Sequence, residues 1–300
     1  MSSDRRLLIL GCGYVGRAVA EAAQQAGWSV AAVTRNPETA EGLRRAGVDQ
    51  VLTAALDNPH WADSLETGFT AALYAVSASE RSEAGYRKAY VDLQRAQAST
   101  LQRLGVSRYL YTGSTGIYPQ SDGEWVGEKD AAGPDAPGHA GILAEAENVA
   151  GEIGATAGSW RVLRLAGIYG PGRTYFLDRL KAGNGVMPGY GDYFVNWIHR
   201  DDIAAAAMAM LNDAAPAKNG AYNVADGKPA LRAEIAEWAG RHCGIPEVRF
   251  EVKAPGGRSG FRRGQDGRPP NRRISNARLR ETFGWQPRHP DFRSGYADLV

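Results

Sequence analysis

An α/β fold is what this sequence predicts: a doubly wound parallel sheet with helices on both faces, followed by a smaller C-terminal lobe. Three observations carry that expectation. Residues 7–10 (LLIL) form an unbroken apolar run, which suits a strand buried on both faces. Glycines follow at 11, 13 and 16, and then an alanine-rich segment, 17–26, is apolar at helical spacing and is stopped by Gly27. The same alternation of apolar runs and helical patterns continues through the first half of the chain.

Taken in order, a second strand is expected at 28–33. Asn36 as N-cap and Pro37 at the first helical position open a helix that ends near Gly47. A third strand is read at 48–54 and a fourth at 71–76. The amphipathic pattern over 81–104, closed by Gly105, predicts one long helix, and a fifth strand at 108–112 runs into GSTGIYP. From 119 to 138 the chain is a polar, Gly/Pro-rich loop that includes Trp125; a helix is expected at 142–153 and a buried strand at 160–168, followed by YGPGR. Beyond this the alternation loosens. Helices are predicted at 175–181, 202–211, 231–242 and 276–283, and short strands near 193–198, 221–224 and 248–253. The segment 253–273 is dense in Gly, Pro and Arg, with Asp266 its only acid. The expected organisation is a first domain over 1–170 and a smaller lobe over 171–300, interleaved with the end of the sheet.

Composition narrows the function classes. The net charge of +2 is the small remainder of 35 basic and 33 acidic residues, which argues against a nucleic-acid or lipid-surface partner. Two cysteines, Cys12 and Cys243, are too few for a disulfide scaffold or a cysteine-built metal site, and no metal is expected. The start, MSSDRR, runs directly into the first strand without a secretory pattern, and the longest apolar run, 203–211, is too short to cross a bilayer. The expectation is a soluble cytoplasmic protein, with a homodimer as its possible assembly.

Strand, GxGxxG turn and helix are together the parts of a Rossmann-type dinucleotide fingerprint. Gly11 permits the tight turn, Gly13 lets the backbone approach a pyrophosphate, and Gly16 lets helix and strand pack closely. An ordinary strand-to-helix turn that happens to carry glycines is the plainer alternative. Arg35 lies about twenty residues past the turn, at the end of the second strand, where an acid would bind a ribose 2′-hydroxyl and an arginine suits a 2′-phosphate. Thr34 adds a hydroxyl beside it. NADP(H) is therefore favoured over NAD(H), against the plainer reading of a solvated arginine at a helix start.

Six stretches in a fixed order now add up to a resemblance. GCGYVG (11–16), YLYTGSTGIYP (109–119), RLAGIYGPGR (164–173), NWIHRDDIAAA (196–206), YNVADG (222–227) and SNARLRETFGWQP (275–287) resemble the extended short-chain dehydrogenase/reductases, the NAD-dependent epimerase/dehydratase family. The resemblance implies an oxidoreductase or epimerase that transfers hydride at a carbonyl or hydroxyl carbon of a small-molecule substrate, in this family largely a nucleotide sugar. It also exposes a departure. The family's catalytic Tyr-x-x-x-Lys precedes a helix rich in Ala and Glu. Aligning LAEAENVA (143–150) with that helix puts His139 at the tyrosine position and Leu143 at the lysine position. The chain resembles an atypical member, with a nucleotide-binding sensor or scaffold without turnover as the alternative.

From the resemblance, Gly11, Gly13, Tyr14, Val15, Gly16, Thr34, Arg35, Val76 and Ile168 are the expected cofactor contacts. Ser114, four residues before Tyr118, has the family spacing of the Ser/Thr that polarises the substrate, although a serine at a strand end is also common in turns. The dehydratases' Asp-Glu pair after that residue is here Thr115-Gly116, which argues against sugar 4,6-dehydration. His139 is the titratable candidate for the missing proton transfer, its imidazole ordinarily near pKa 6.5 (about), and Tyr118 is a second candidate acid. The plainer reading of His139 is a surface residue. Arg173, Asn196 and His199 fall on stretches that line the family's substrate cleft. The 253–273 segment is either a solvated loop or a lid whose Arg272 and Arg273 bind an anionic group of the substrate.

Overall fold

The computed structural model describes residues 5–213, 215, 218–252 and 268–300. Its first half is built of β1 (Arg6–Leu10), α1 (Tyr14–Gln25), β2 (Ser29–Thr34), α2 (Pro37–Arg45), β3 (Gln50–Thr53) and β4 (Ala71–Tyr74). Then come α3 (Glu83–Arg87), α4 (Leu93–Ala96), α5 (Ala98–Arg103), β5 (Arg108–Ser114), β6 (Trp125–Val126) and α6 (Gly138–Ala157). The rest comprises β7 (Ser159–Leu165), β8 (Gly167–Tyr169), α7 (Tyr175–Ala182), β9 (Val186–Pro188), β10 (Phe194–Val195), β11 (Trp197–His199) and α8 (Arg200–Asn212). It ends with β12 (Gly220–Val224), β13 (Ala230–Leu231), α9 (Arg232–His242), β14 (Arg249–Glu251), β15 (Arg273–Ile274), α10 (Ala277–Phe283) and α11 (Phe292–Tyr296).

Seven parallel strands form the central sheet in the order β12-β7-β5-β4-β1-β2-β3, so the doubly wound α/β fold is as expected. The order runs outward from β1 in both directions, which leaves a crevice at the carboxyl ends of β1 and β4. Leu7 and Ile9 face one core with Ala18, Val19 and Ala207, while Leu8 and Leu10 face the other with Tyr74, Tyr109 and Val149. That two-sided burial is why 7–10 reads as continuous apolar sequence. A third core, around Tyr169, Leu177, Leu180, Met187, Ile235 and Phe292, belongs to the C-terminal part of the chain. β12 and α8, although late in sequence, pack against the main sheet rather than that third core. Among the described residues no helix is long and apolar enough to cross a membrane.

Three expectations are corrected. The single helix over 81–104 is broken by a π-turn at Lys88–Asp92 and by a further step at Gln97. The wider turn displaces carbonyls from their usual partners, and buried side chains take them up: Tyr74 Oη donates to Ala89 O at 2.6 Å and Gln94 Nε2 to Tyr90 O at 3.1 Å. The strand over 160–168 is two strands. The chain leaves the sheet at Ala166, and β8 pairs with β11 instead, His199 opposite Tyr169. The 193–198 strand likewise splits into β10 and β11. One pairing had no signal in the sequence: β6, from the polar loop, runs parallel to β15. Residues 253–267 of the Arg-rich segment lie outside the described residues.

Candidate active site

The glycine turn opens the crevice. Gly11 has φ +84°, and a methyl group there would meet Val76 at 2.8 Å, so the turn requires glycine on both conformational and steric grounds. At Gly16 a methyl group would lie 3.1 Å from Gly11 O and from Ile9 Cγ2, which is how α1 packs close to the sheet. At Gly13 a methyl group would meet nothing within 4 Å. Gly13 is also the N-cap of α1, and no side chain caps the helix there. The first amides of α1 are thus left for a ligand, with the positive end of the helix dipole behind them. Cys12 is buried in the turn, and burial pushes its thiol up to about 12, so it acts as a small inert filler.

Two chambers lie on either side of this turn and share Gly13, Ala75, Val76 and Ser77 as their common wall. The first, about 540 Å³, runs over the carboxyl ends of β2 and β3 and is lined by Gly11, Thr34, Arg35, Asn36, Leu56, Asp57 and Lys88. Asn36 caps α2 by accepting from Thr39 N at 3.0 Å, as its sequence context predicts, and Thr34 Oγ1 accepts from Asn36 N at 3.3 Å. Arg35 is exposed, and among the described residues no carboxylate pairs with it.

The second chamber, about 360 Å³, lies over β5 and β7. Its wall contains Tyr14, Val15, Ser114, Ile168 and Arg173 of the sequence-predicted residues. It also contains Tyr86, Tyr90, Tyr111 and Leu143, to which no role was attached, though Leu143 was already placed at the lysine position. Ser114 Oγ accepts from Gly116 N at 3.1 Å, which leaves its hydroxyl proton to donate elsewhere. Arg173 stands at the mouth, its guanidinium 5.4 Å from the centre of the Tyr14 ring. Tyr14 Oη donates to Pro171 O, tying the glycine turn to the 170–173 loop.

Other predicted site residues sit apart from both chambers. His139 packs edge-on against Tyr86 with ring centres 4.3 Å apart, one ring behind the chamber wall. Tyr118 is buried; its hydroxyl bonds Asn223 Oδ1 at 2.6 Å and accepts from Arg164, and burial raises its pKa. Arg164 in turn forms a two-pronged pair with Glu147 at 2.8 and 2.7 Å. Asn196 donates to Arg272 O and accepts from Ile274 N, so its amide holds β15 in place. Arg272 is buried and donates to Gln120 O, while Arg273 lies between Trp125 and Phe194 and donates to Gly123 O. His199 is buried at the N-terminus of α8. Burial first, then His289, lowers its pKa. His199, Asp202 and His289 bring their ligand-type atoms within 4.8 Å of one another. Asp202 already accepts from Arg288 N, His289 N and His289 Nδ1, which accounts for the cluster as a structural clamp.

The residues missed by sequence reasoning had weak signals. Tyr86 and Tyr90 recur at i, i+4 within the predicted helix, a spacing that places both on one face. Tyr111 looked like one more apolar strand residue.

The family model described as the NAD dependent epimerase/dehydratase family matches residues 7–225. Protein YeeZ of Escherichia coli strain K12 is 24% identical over 291 residues, covering 96% of this chain and 97% of YeeZ. Among solved structures, a functionally unknown conserved protein from Silicibacter pomeroyi is 26% identical with a TM-score of 0.74, covering 98% of each chain. DesIV of Streptomyces venezuelae, a dTDP-glucose 4,6-dehydratase solved with NAD and TYD bound, is 18% identical with a TM-score of 0.78, covering 98% of this chain and 95% of DesIV, and is similar in fold.

Proposed function

Because this chain belongs to the NAD dependent epimerase/dehydratase family, we propose that it is an NAD(P)-dependent oxidoreductase or epimerase acting on a small-molecule substrate, with NADP(H) preferred. The observation that carries this reading is the continuous pair of chambers hinged on the glycine turn, one ending at Arg35 and the other at Ser114. The residues fit a dinucleotide: uncapped amides at α1 for the pyrophosphate, Thr34 and Arg35 for a 2′-phosphate, Leu56 and Asp57 for the base, and Val15 and Ile168 for the nicotinamide end. A bound nicotinamide supplies hydride exchange at a carbonyl or hydroxyl carbon. Ser114, its oxygen already holding Gly116 N, donates its proton toward a substrate oxygen on which charge develops. Leu143 and Val76 keep water out of the same chamber.

Leu143 at the lysine position also favours a second reading, a cofactor-binding sensor without turnover. The two separate in one experiment. NADPH and NADH are titrated into wild type and Arg35→Ala, followed by nicotinamide fluorescence, and the NADPH complex is then offered a panel of keto-sugar nucleotides and simple carbonyls. A charge-assisted contact is worth about 1.5–3 kcal/mol, so NADPH should bind roughly ten- to a hundred-fold more tightly than NADH and Arg35→Ala should erase most of that gap. Equal wild-type affinities remove the NADP assignment. Tight NADPH binding with no consumption of it across the panel moves the assignment to the sensor.

A further inference from the structure

Three tyrosine hydroxyls lie buried near one another between β4, β5 and the 83–103 helical stretch, and two of them are bonded. Tyr74 donates to Ala89 O, and Tyr109 bonds Gln94 Oε1 at 3.3 Å. The third, Tyr111 Oη, is fully buried and has no hydrogen-bond partner among the described residues. Packing alone does not account for that hydroxyl. The Tyr111 ring fills the core against Tyr74, at 6.2 Å between centres, and a phenylalanine would fill the same space without burying an orphan polar group. Other orphaned polar atoms exist, on Trp28, Tyr169 and Trp285 among others, but those three residues lie away from both chambers. Tyr111 is part of the second chamber's wall, three residues before Ser114 on the same strand.

The rest of that wall says what kind of group belongs there. It contains no carboxylate, lysine or histidine, and its one charged residue, Arg173, stands at the mouth. Tyr14, Tyr86, Tyr90, Leu143, Leu165 and Ile168 give it flat, largely apolar surfaces. Thr112 Oγ1 donates to Tyr74 O, which leaves Ser114 and Tyr111 as hydroxyl donors on β5 still to be used. Burial holds the Tyr111 phenol well above its ordinary pKa, with Tyr90, Glu147, Tyr74 and Tyr86 adding to the effect, so it stays a neutral donor. Putting an anion against this wall would bury a charge with no cation beside it.

We propose that Tyr111 is a second hydrogen-bond donor to the reacting oxygen of the substrate, beside Ser114, and that the reacting end of the substrate is an uncharged carbonyl on a planar, largely apolar body. This rests on the oxidoreductase reading above and deepens it. Tyr111 and Ser114 both bind the oxygen in its neutral state and bind it more strongly as it gains charge.

The test uses binding and stability, with benzamide as a non-reacting neutral carbonyl and benzoate as its charged counterpart. Calorimetric titration is run on wild type, Tyr111→Phe and Ser114→Ala, each saturated with NADPH, and melting of the free proteins is recorded. Benzamide should bind the wild-type NADPH complex at least ten-fold more tightly than benzoate, and each variant should lose roughly three- to ten-fold in benzamide affinity. Tyr111→Phe without ligand should melt at the wild-type temperature or above it, because the change removes a buried group that has no partner. A melting temperature several degrees lower makes the hydroxyl structural and overturns the proposal. So does unchanged benzamide affinity in Tyr111→Phe, or a loss confined to NADPH, which would assign the hydroxyl to the carboxamide of the nicotinamide. Benzoate binding as well as benzamide, or no benzamide binding at all, overturns the neutral-carbonyl class while leaving cofactor binding intact. Failure of wild type to bind NADPH overturns the oxidoreductase reading itself.

Discussion

The two chambers share a wall but are assembled in different ways. The Arg35 chamber draws Gly11, Gly13, Thr34, Arg35, Asn36 and Asp57 from two consecutive strand–turn–helix units, within fewer than 60 residues of sequence. The Ser114 chamber draws Tyr14, Val76, Tyr86, Tyr111, Leu143, Leu165 and Arg173 from across the first 173 residues. Local chemistry fixes the first: a glycine that must have positive φ, a capping asparagine, an arginine at a strand end. Long-range packing fixes the second, so it depends on groups that never touch a ligand. The contrast predicts that distant substitutions harm the second chamber and spare the first, whereas changes in the shared wall harm both.

The largest expected effect is on the support of the second chamber. Glu147 holds Arg164 with two hydrogen bonds, side chains 12% and 6% exposed, and Arg164 reaches on to Tyr118 Oη and Glu128 O. Glu147→Ala leaves the guanidinium buried without its carboxylate, and breaking such a pair costs about 3–5 kcal/mol. Urea unfolding should show that loss. Hydrogen exchange should quicken around 112–118 and 164–168 and stay near wild type at 29–40. Uniform quickening across both regions would dissolve the distinction between the chambers.

Gly11→Ala probes the shared wall. A β-carbon there adds the cost of positive φ to a 2.8 Å clash with the backbone of Val76, together about 2–5 kcal/mol. Val76 borders both chambers, so NADPH affinity should fall at least ten-fold by fluorescence titration, with benzamide binding lost alongside it. A variant that binds NADPH like wild type would show that the turn relaxes without disturbing Val76.

The same contrast explains what could be read from the sequence. The 11–16 turn, the Asn36-Pro37 helix start and the buried strands are short-range features, and each is in the structure where its residues imply. The π-turn at Lys88–Asp92 was not legible, because the carbonyls it displaces are taken up by Tyr74 and Gln94, and only the tertiary fold brings Tyr74 there. The break at Ala166 depends on β11 arriving thirty residues later to pair with β8. Asn196 and Arg273 had the right chemistry to face a ligand. Their polar groups instead hold β15 and the 120–126 loop, a pairing that leaves no periodic trace in either segment. His139 was found by alignment, but its separation from the chamber by the Tyr86 ring is a fact of helix packing.

The smallest expected effect concerns the pH dependence of the second chamber's outer edge. His199 ends β11, opposite Tyr169 of β8, and caps α8 by accepting from Asp201 N through Nδ1 at 3.3 Å. A proton on Nδ1 abolishes that acceptor and sets positive charge against the positive end of a helix dipole. His289 lies with its ring 3.9 Å away, Arg200 follows on the same helix, and Tyr169 packs edge-on; Asp201 and Asp202 pull the other way. Burial and His289 prevail, so the pKa is lowered on folding. The unfolded chain therefore binds this proton more readily than the folded one. The stabilisation is complete above the unfolded value, about 6.5, and is lost as pH falls below it toward the folded value. Between pH 7.5 and 5.5 the loss should be about 1 kcal/mol, measured as the difference in pH slope between wild type and His199→Gln, since glutamine keeps a capping acceptor without the charge. Hydrogen exchange at pH 5.5 should quicken over 167–173 and 197–203 while 29–40 is unaffected. Parallel slopes for the two proteins would mean that His199 takes its proton at no cost, and the cap would then have to be made by another group at low pH.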